Sequence, residues 1–131
     1  MTVLDASALL AYLADEPGAE HVEAALGHGC TIHHVNWVEV LSKRAERGDD
    51  PKQVQERLTH RGLIGQLLQI DPGQPDDAVH VAELRVNTRH AGLSLGDRYC
   101  LALGRRLIAP VLTTDRAWSD LDVGVQVRLI R

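Results

Sequence analysis

Residues 3–18 read VLDASALLAYLADEPG. A short apolar run ends in Asp5, and an alanine- and leucine-rich segment follows until Pro17 and Gly18. The run from Met1 to Leu4 has the length and character of a buried strand, while Ala6 to Ala14 carries apolar residues at helical spacing and is stopped by Pro and Gly. A strand that passes through one acidic residue directly into a helix sets the question for the rest of the chain: whether the pairing repeats.

It does. Glu20 to Leu26 is a short helical pattern closed by Gly27, and Thr31 to Val35 is a β-branched run suited to a strand. Asn36 is expected to cap the next helix, where Trp37, Val40, Leu41 and Ala45 follow helical spacing to Gly48. Asp50 with Pro51 opens another helix toward Arg61, ended by Gly62. Leu67 to Ile70 reads as a strand cut off by Asp71 and Pro72, and Asp77 to Thr88 as a helix with Ala78, Val81, Ala82 and Val86 on one face. Ser94 starts a helix whose stripe is Leu95, Tyr99, Ala102, Leu103 and Leu107. Pro110 to Thr113 and Val125 to Ile130 are the closing strands. Strands alternating with helices imply a mainly parallel sheet covered on both faces, because parallel neighbours need crossover connections that are usually helical. The fold class is α/β, and with no repeat or linker the 131 residues form a single domain, 1–131.

Composition narrows the classes. With 44% hydrophobic and 24% charged residues the chain is neither disordered nor fibrous. It has no Phe and two Trp, so the core is aliphatic, with Trp37 and Trp118 as its largest members. No apolar run is long enough for a membrane span and no signal peptide fits, so a cytoplasmic protein is expected. Cys30 and Cys100 lack metal-ligand spacing and read as buried free thiols. A net charge of −4 argues against a general nucleic-acid coat. Six basic residues (Lys43, Arg44, Arg47, Lys52, Arg57, Arg61) nevertheless face four acids between Lys43 and Arg61.

In parallel α/β sheets the ligand site lies beyond the carboxyl ends of the strands, where the following helices begin. That rule selects four acids. Asp5 ends the first strand and Asp115 follows the strand Pro110 to Thr113, while Glu39 and Asp97 lie in the first turns of helices. Taken singly, each has a bland reading: Asn36 with Glu39 and Ser94 with Asp97 fit capping boxes, Asp5 fits a helix cap, and Asp115 fits a cap for the turn at Arg116. Taken together, four carboxylates in one cleft repel, and they either hold protons or recruit a cation. An all-oxygen site suits magnesium or manganese better than zinc, and such an ion activates water and stabilises a leaving oxygen. Ser7 and Thr113 are placed to orient Asp5 and Asp115 as hydrogen-bond donors. The histidines, His33 and His34 in a strand and the others scattered, make no ligand spacing and are assigned surface or packing roles. Arg98 is a candidate for a phosphate contact, with a structural role as the commoner outcome.

At these acids the segments VLDASALLAYLADEPG, NWVEVLSK, GLSLGDRYCLALG and VLTTDRAWSDLDVGVQVRLIR resemble the PIN-domain family, and specifically the VapC-type toxins of bacterial type II toxin–antitoxin pairs. The resemblance spans nearly the whole chain in the family's order and approximate spacing. It implies a three-layer α/β/α sandwich and an acidic centre of Asp5, Glu39 and Asp97, with Asp115 as fourth carboxylate. Asp5 and Asp97 would be the direct ligands of Mg2+ or Mn2+, and Glu39 and Asp115 would act through waters or a second ion. It further implies endonucleolytic hydrolysis of structured RNA, tRNA or rRNA, a homodimer, and a cognate VapB-like antitoxin through which alone promoter DNA is bound. Two alternatives remain at this level: a PIN-like nuclease of RNA maturation or decay, and a catalytically silent scaffold for RNA or protein. An Asp-nucleophile phosphatase would need an acid where Ser7 stands, and a phospho-accepting receiver would need a second acid at Ala6 and a lysine at Arg116.

Overall fold

The computed structural model describes all residues, Met1–Arg131. Its elements run in the order β1 (Thr2–Leu4), α1 (Ala6–Leu13), α2 (Ala19–Leu26), β2 (Cys30–His33), α3 (His34–Glu46), α4 (Pro51–His60), β3 (Leu68–Asp71), α5 (Asp77–Asn87), α6 (Leu95–Leu107), β4 (Val111–Thr113) and β5 (Val127–Leu129). There are two 3-10 turns: Arg116–Asp120, which is the turn expected at Arg116, and Arg89–Ala91, which has no counterpart in the sequence reading. The sheet has five strands in the order β3-β2-β1-β4-β5, and every pairing is parallel. The expected α/β/α sandwich is therefore present, with a sheet that is wholly rather than mainly parallel.

Side chains alternate across a strand, so consecutive residues enter different layers. Leu4 and Leu112 join a core with Leu9, Val22, Trp37, Val40 and Leu58, which come from α1 to α4. Val3 and Val111 join a second core with Val81, Leu84, Leu101, Leu103 and Trp118, from α5, α6 and the turn after β4. Both tryptophans are almost fully buried, as their size demanded, and both cysteines are buried free thiols. Burial pushes the Cys30 thiol up to about 11. No helix is long and apolar enough to cross a membrane.

Several boundaries shift: β3 takes in Asp71, expected to end it, and β5 is Val127–Leu129 rather than Val125–Ile130; one further shift bears on the site. The strand expected over Thr31 to Val35 stops at His33, and α3 starts at His34 rather than after Asn36. The cap is His33, whose Nδ1 accepts from the Val35 amide at 3.1 Å. Asn36 lies inside the first turn and is 1% exposed, so neither the Asn36 cap nor the Asn36–Glu39 capping box exists. An imidazole nitrogen can do a carboxylate's capping work, and β-branched Thr31 and Ile32 mask the change of period that follows them.

The strand order supplies the position of the site. From β1 the chain builds outward through β2 to β3 and then crosses to β4 and β5 on the other flank. The reversal falls between β1 and β4, where helices leave in opposite directions and open a crevice at the carboxyl ends of the strands.

Candidate active site

Asp5 sits in that crevice, directly after β1, and is 5% exposed. Its Oδ1 accepts from the Ala8 amide at 2.8 Å, which caps α1, and from Ser7 Oγ at 2.7 Å. Its Oδ2 accepts from Thr113 Oγ1 at the end of β4. Ser7 Oγ also accepts from the Thr114 amide, so the two strand ends are bound to each other around one carboxylate. Burial pushes Asp5 up to about 6, against the lowering effect of these three donors, and the charge of Asp97 adds to the rise. The bland reading of Asp5 as a cap is thus true, and it accounts for only one of its two oxygens.

Glu39 reaches the crevice from α3, half-buried. Burial raises it first, then the charges of Asp97 and Asp5, with Lys43 one turn on pulling it back down. Its carboxylate lies against Gly96 so closely that a Cβ there would fall on Oε1 and stand 2.8 Å from the carboxyl carbon. Glycine in α6 costs about 1 kcal/mol against alanine, and here it leaves room for an acid. Asn36 spans the same junction: its Nδ2 donates to Gly96 O at 2.9 Å, and its Oδ1 is buried with no donor.

Asp97 stands in the first turn of α6. Ser94 and Asp97 form the foreseen capping box, with Asp97 Oδ2 accepting from the Ser94 amide at 2.9 Å and the Asp97 amide donating to Ser94 Oγ at 3.1 Å. Beneath it, buried Cys100 lies in the field of all three acids, and its thiol is pushed well above the usual range by burial and then by Asp5, Asp97 and Glu39.

Asp115 stands apart. It is exposed and caps the turn at Arg116 through the Ala117 amide at 3.0 Å. Its charge raises neither Asp5 nor Glu39. Its link to the others is Thr113, whose Oγ1 accepts from the Asp115 amide at 3.0 Å while donating to Asp5. Three of the four acids therefore share one field, and the fourth is tied to it through Thr113, which donates to Asp5 rather than to the Asp115 carboxylate as expected.

Beside Ser7 and Glu39 opens a recess of about 290 Å³, walled by Ala6, Leu10 and Val38 with Lys43 at its side. The donor set fits a hard divalent ion: carboxylate oxygens only, with burial and neighbouring negative charge raising Asp5 and Glu39, a conflict a cation relieves.

The compact cluster of ligand-type side chains is a different one, which sequence reading missed. His33, Asp71 and Asp77 bring ligand atoms within 4.8 Å of one another, but the cation there is Arg106. Its guanidinium grips Asp71 through Nη2 at 2.7 Å and Nη1 at 3.1 Å, and its Nε is 3.4 Å from Asp77. His33 Nε2 is 3.0 Å from Asp77 Oδ2. His33 Nδ1 accepts the Val35 amide, which leaves Nε2 as the nitrogen that donates toward Asp77 Oδ2. His33 is thus a strand-end anchor, and His34, expected in the same strand, opens α3 instead. The signal was Asp71 at a strand end. The arginine that closes the network comes from 35 residues away. Arg98 is structural, with Nη1 donating to Val81 O at 3.0 Å.

The PIN domain family model matches residues 2–124. The chain belongs to the PIN-domain family. This PIN domain is 32% identical over 125 residues to Ribonuclease VapC of Mycolicibacterium smegmatis, covering 92% of this chain and 96% of the relative, which places it with the VapC type. Among solved structures it resembles a toxin–antitoxin complex from Klebsiella pneumoniae, with TM-score 0.74 at 17% identity over 100% of this chain and 98% of that one. It also resembles VapBC2 from Rickettsia felis bound to a DNA fragment from its promoter, with TM-score 0.72 at 13% identity, covering 98% and 97%. At those identities the likeness is one of PIN fold.

Proposed function

We propose that this PIN domain is a Mg2+- or Mn2+-dependent endoribonuclease, the toxin of a VapBC-type toxin–antitoxin pair, which hydrolyses phosphodiester bonds in structured RNA, tRNA or rRNA. The observation that carries the reading is the shared field of Asp5, Glu39 and Asp97 at the topological switch of the sheet. The name of the Mycolicibacterium relative and the VapBC complexes among the neighbours support it.

Asp5 and Asp97 would hold the ion directly, with Glu39 and Asp115 reaching it through water. When bound, the ion supplies a polarised phosphate and an acidified water. Ser7 and Thr113 keep the Asp5 oxygens turned into the crevice. Glu39, whose affinity for a proton is raised, is suited to take one from the attacking water at a carboxylate oxygen. Lys43 offsets phosphate charge as the backbone enters past Val38. The protein works in the cytoplasm as a homodimer, silenced by a VapB-like antitoxin that alone contacts promoter DNA.

The test is digestion of a tRNA and rRNA pool with purified protein. Cleavage with Mg2+ or Mn2+, its loss in chelator, and its loss in folded Asp5→Asn and Asp97→Asn would support the reading. Cleavage undiminished in chelator would overturn the metal assignment. Growth arrest on induction, relieved by co-expressing a VapB-like antitoxin, tests the toxin role.

A further inference from the structure

Glu39 and Asp97 approach the crevice on different helices, so their separation is set by whatever locks α3 to α6. Two features do so, both polar or steric rather than apolar. Gly96 accepts the Glu39 carboxylate against its Cα, where any side chain would displace it. Asn36, three residues before Glu39 on the same helix, donates from Nδ2 to the carbonyl of Gly96 at 2.9 Å across 60 residues of sequence. Gly96 immediately precedes Asp97. One hydrogen bond therefore ties the turn that carries Glu39 to the turn that carries Asp97.

The second observation is the other half of the amide. Asn36 is 1% exposed, yet its Oδ1 has no donor. Buried amide oxygens are almost always satisfied, and an exception calls for a water or a functional reason. An aliphatic residue would fill this position between the two helices without leaving a polar atom unpaired.

We propose that Asn36 is a positioning residue of the acidic centre, holding Glu39 and Asp97 at the spacing the ion needs. This rests on the metal-dependent nuclease reading. Asn36 touches neither substrate nor ion and acts through Glu39 and Gly96.

The experiment is titration of the purified protein with Mn2+ by calorimetry, alongside cleavage kinetics and thermal melting. Asn36→Ala is expected to weaken the Mn2+ midpoint about tenfold and to lower kcat about as much, as for residues that orient metal ligands, while KM for RNA stays within about threefold by the same argument. Asn36→Ser, which retains a donor, recovers part of both. Gly96→Ala, which displaces Glu39, reproduces the Asn36→Ala pattern, and it decides the matter if Asn36→Ala folds poorly. In the Asn36→Ala/Glu39→Gln double variant the losses do not add, because one acts through the other. Wild-type Mn2+ affinity and kcat in folded Asn36→Ala or Gly96→Ala, or additive losses, would overturn the proposal. The parent reading fails separately: Asp5→Asn would then bind Mn2+ like the wild type.

Discussion

Thr113 Oγ1 donates to Asp5 Oδ2 at 2.5 Å, joining the ends of two adjacent parallel strands across 108 positions of sequence. The same oxygen accepts from the Asp115 amide, so one hydroxyl orients the most buried of the four site acids and sets the backbone of the most exposed of them. Its donation favours the ionised form of Asp5, and its removal raises Asp5 further.

Thr113→Val keeps the volume and removes both bonds. The acidic limb of the kcat/KM profile should move to higher pH, and activity near pH 7 should fall by roughly tenfold or more. Losing the acceptor of the Asp115 amide costs roughly 0.5–1.5 kcal/mol, because at this exposed residue water can take its place. Thr113→Ser should behave as wild type. A pH–rate profile checks this, and an unmoved acidic limb in the valine variant would count against Thr113 as an orienting donor.

Asp5 in the metal-free protein is a carboxylate that folding makes harder to ionise. A folded value of about 6 against an ordinary 3.8 is worth roughly 3 kcal/mol at 1.36 kcal/mol per pH unit. The sign follows from linkage: the raised group stabilises the fold fully below about 3.8 and loses that contribution as pH rises through about 6. In chelator, melting temperature should therefore climb as pH drops from 7 to 5. Asp5→Asn should flatten that window and melt several degrees higher at pH 7.5, while losing activity. A lower melting temperature for the variant at pH 7.5 would contradict the burial argument. Saturating Mn2+ should stabilise the wild type and not the variant.

Most of this arrangement was legible because it is carried by local signals. Asp5 follows an apolar run and precedes a helical one, and Ser94 with Asp97 is a capping pair three residues apart, so their places at strand and helix ends followed from period and spacing. The carboxyl-edge rule for parallel sheets then put them together. Long-range reach was not legible. That Arg106, in the last turn of α6, grips Asp71 depends on the angle at which α6 crosses the sheet. That Gly96 makes room for Glu39 depends on how closely α3 approaches α6. The Asn36 cap failed for a local reason: a histidine took the work, and the polar residue three before Glu39 was serving another helix.

Gly18 provides a stability test at a residue that contacts none of the acids. It lies at φ +97°, and a Cβ would stand 2.6 Å from Ile130 O and 2.9 Å from Ile130 Cγ1. Backbone cannot yield as a flexible side chain does, and alanine at positive φ adds strain. Gly18→Ala should lower stability by roughly 1–3 kcal/mol and leave kcat of the remaining folded protein unchanged. Urea denaturation and active-site titration check both halves.

Arg106 serves stability rather than chemistry, and pH separates the two. Its hydrogen bond holds Asp71 below the usual carboxylate range. For Asp77, burial pushes upward, but the Gln74 amide, His33 and Arg106 together outweigh it and the net shift is downward. Groups lowered by folding stabilise above their ordinary value of 3.8 and lose that contribution as pH falls below it. Arg106→Met removes the cation and leaves two carboxylates facing each other, one 16% and one 5% exposed. Stranding buried charge in this way costs about 3 kcal/mol or more at pH 7. The deficit should shrink as pH drops toward 4, because the stranded acids then take up protons that the wild-type network refuses. Arg106→Lys, with charge but no fork, should fall between. Denaturation curves at pH 7 and pH 4.5 test this directly. A deficit that stays constant between them would mean that Arg106 acts through packing of its stem, not through its charge.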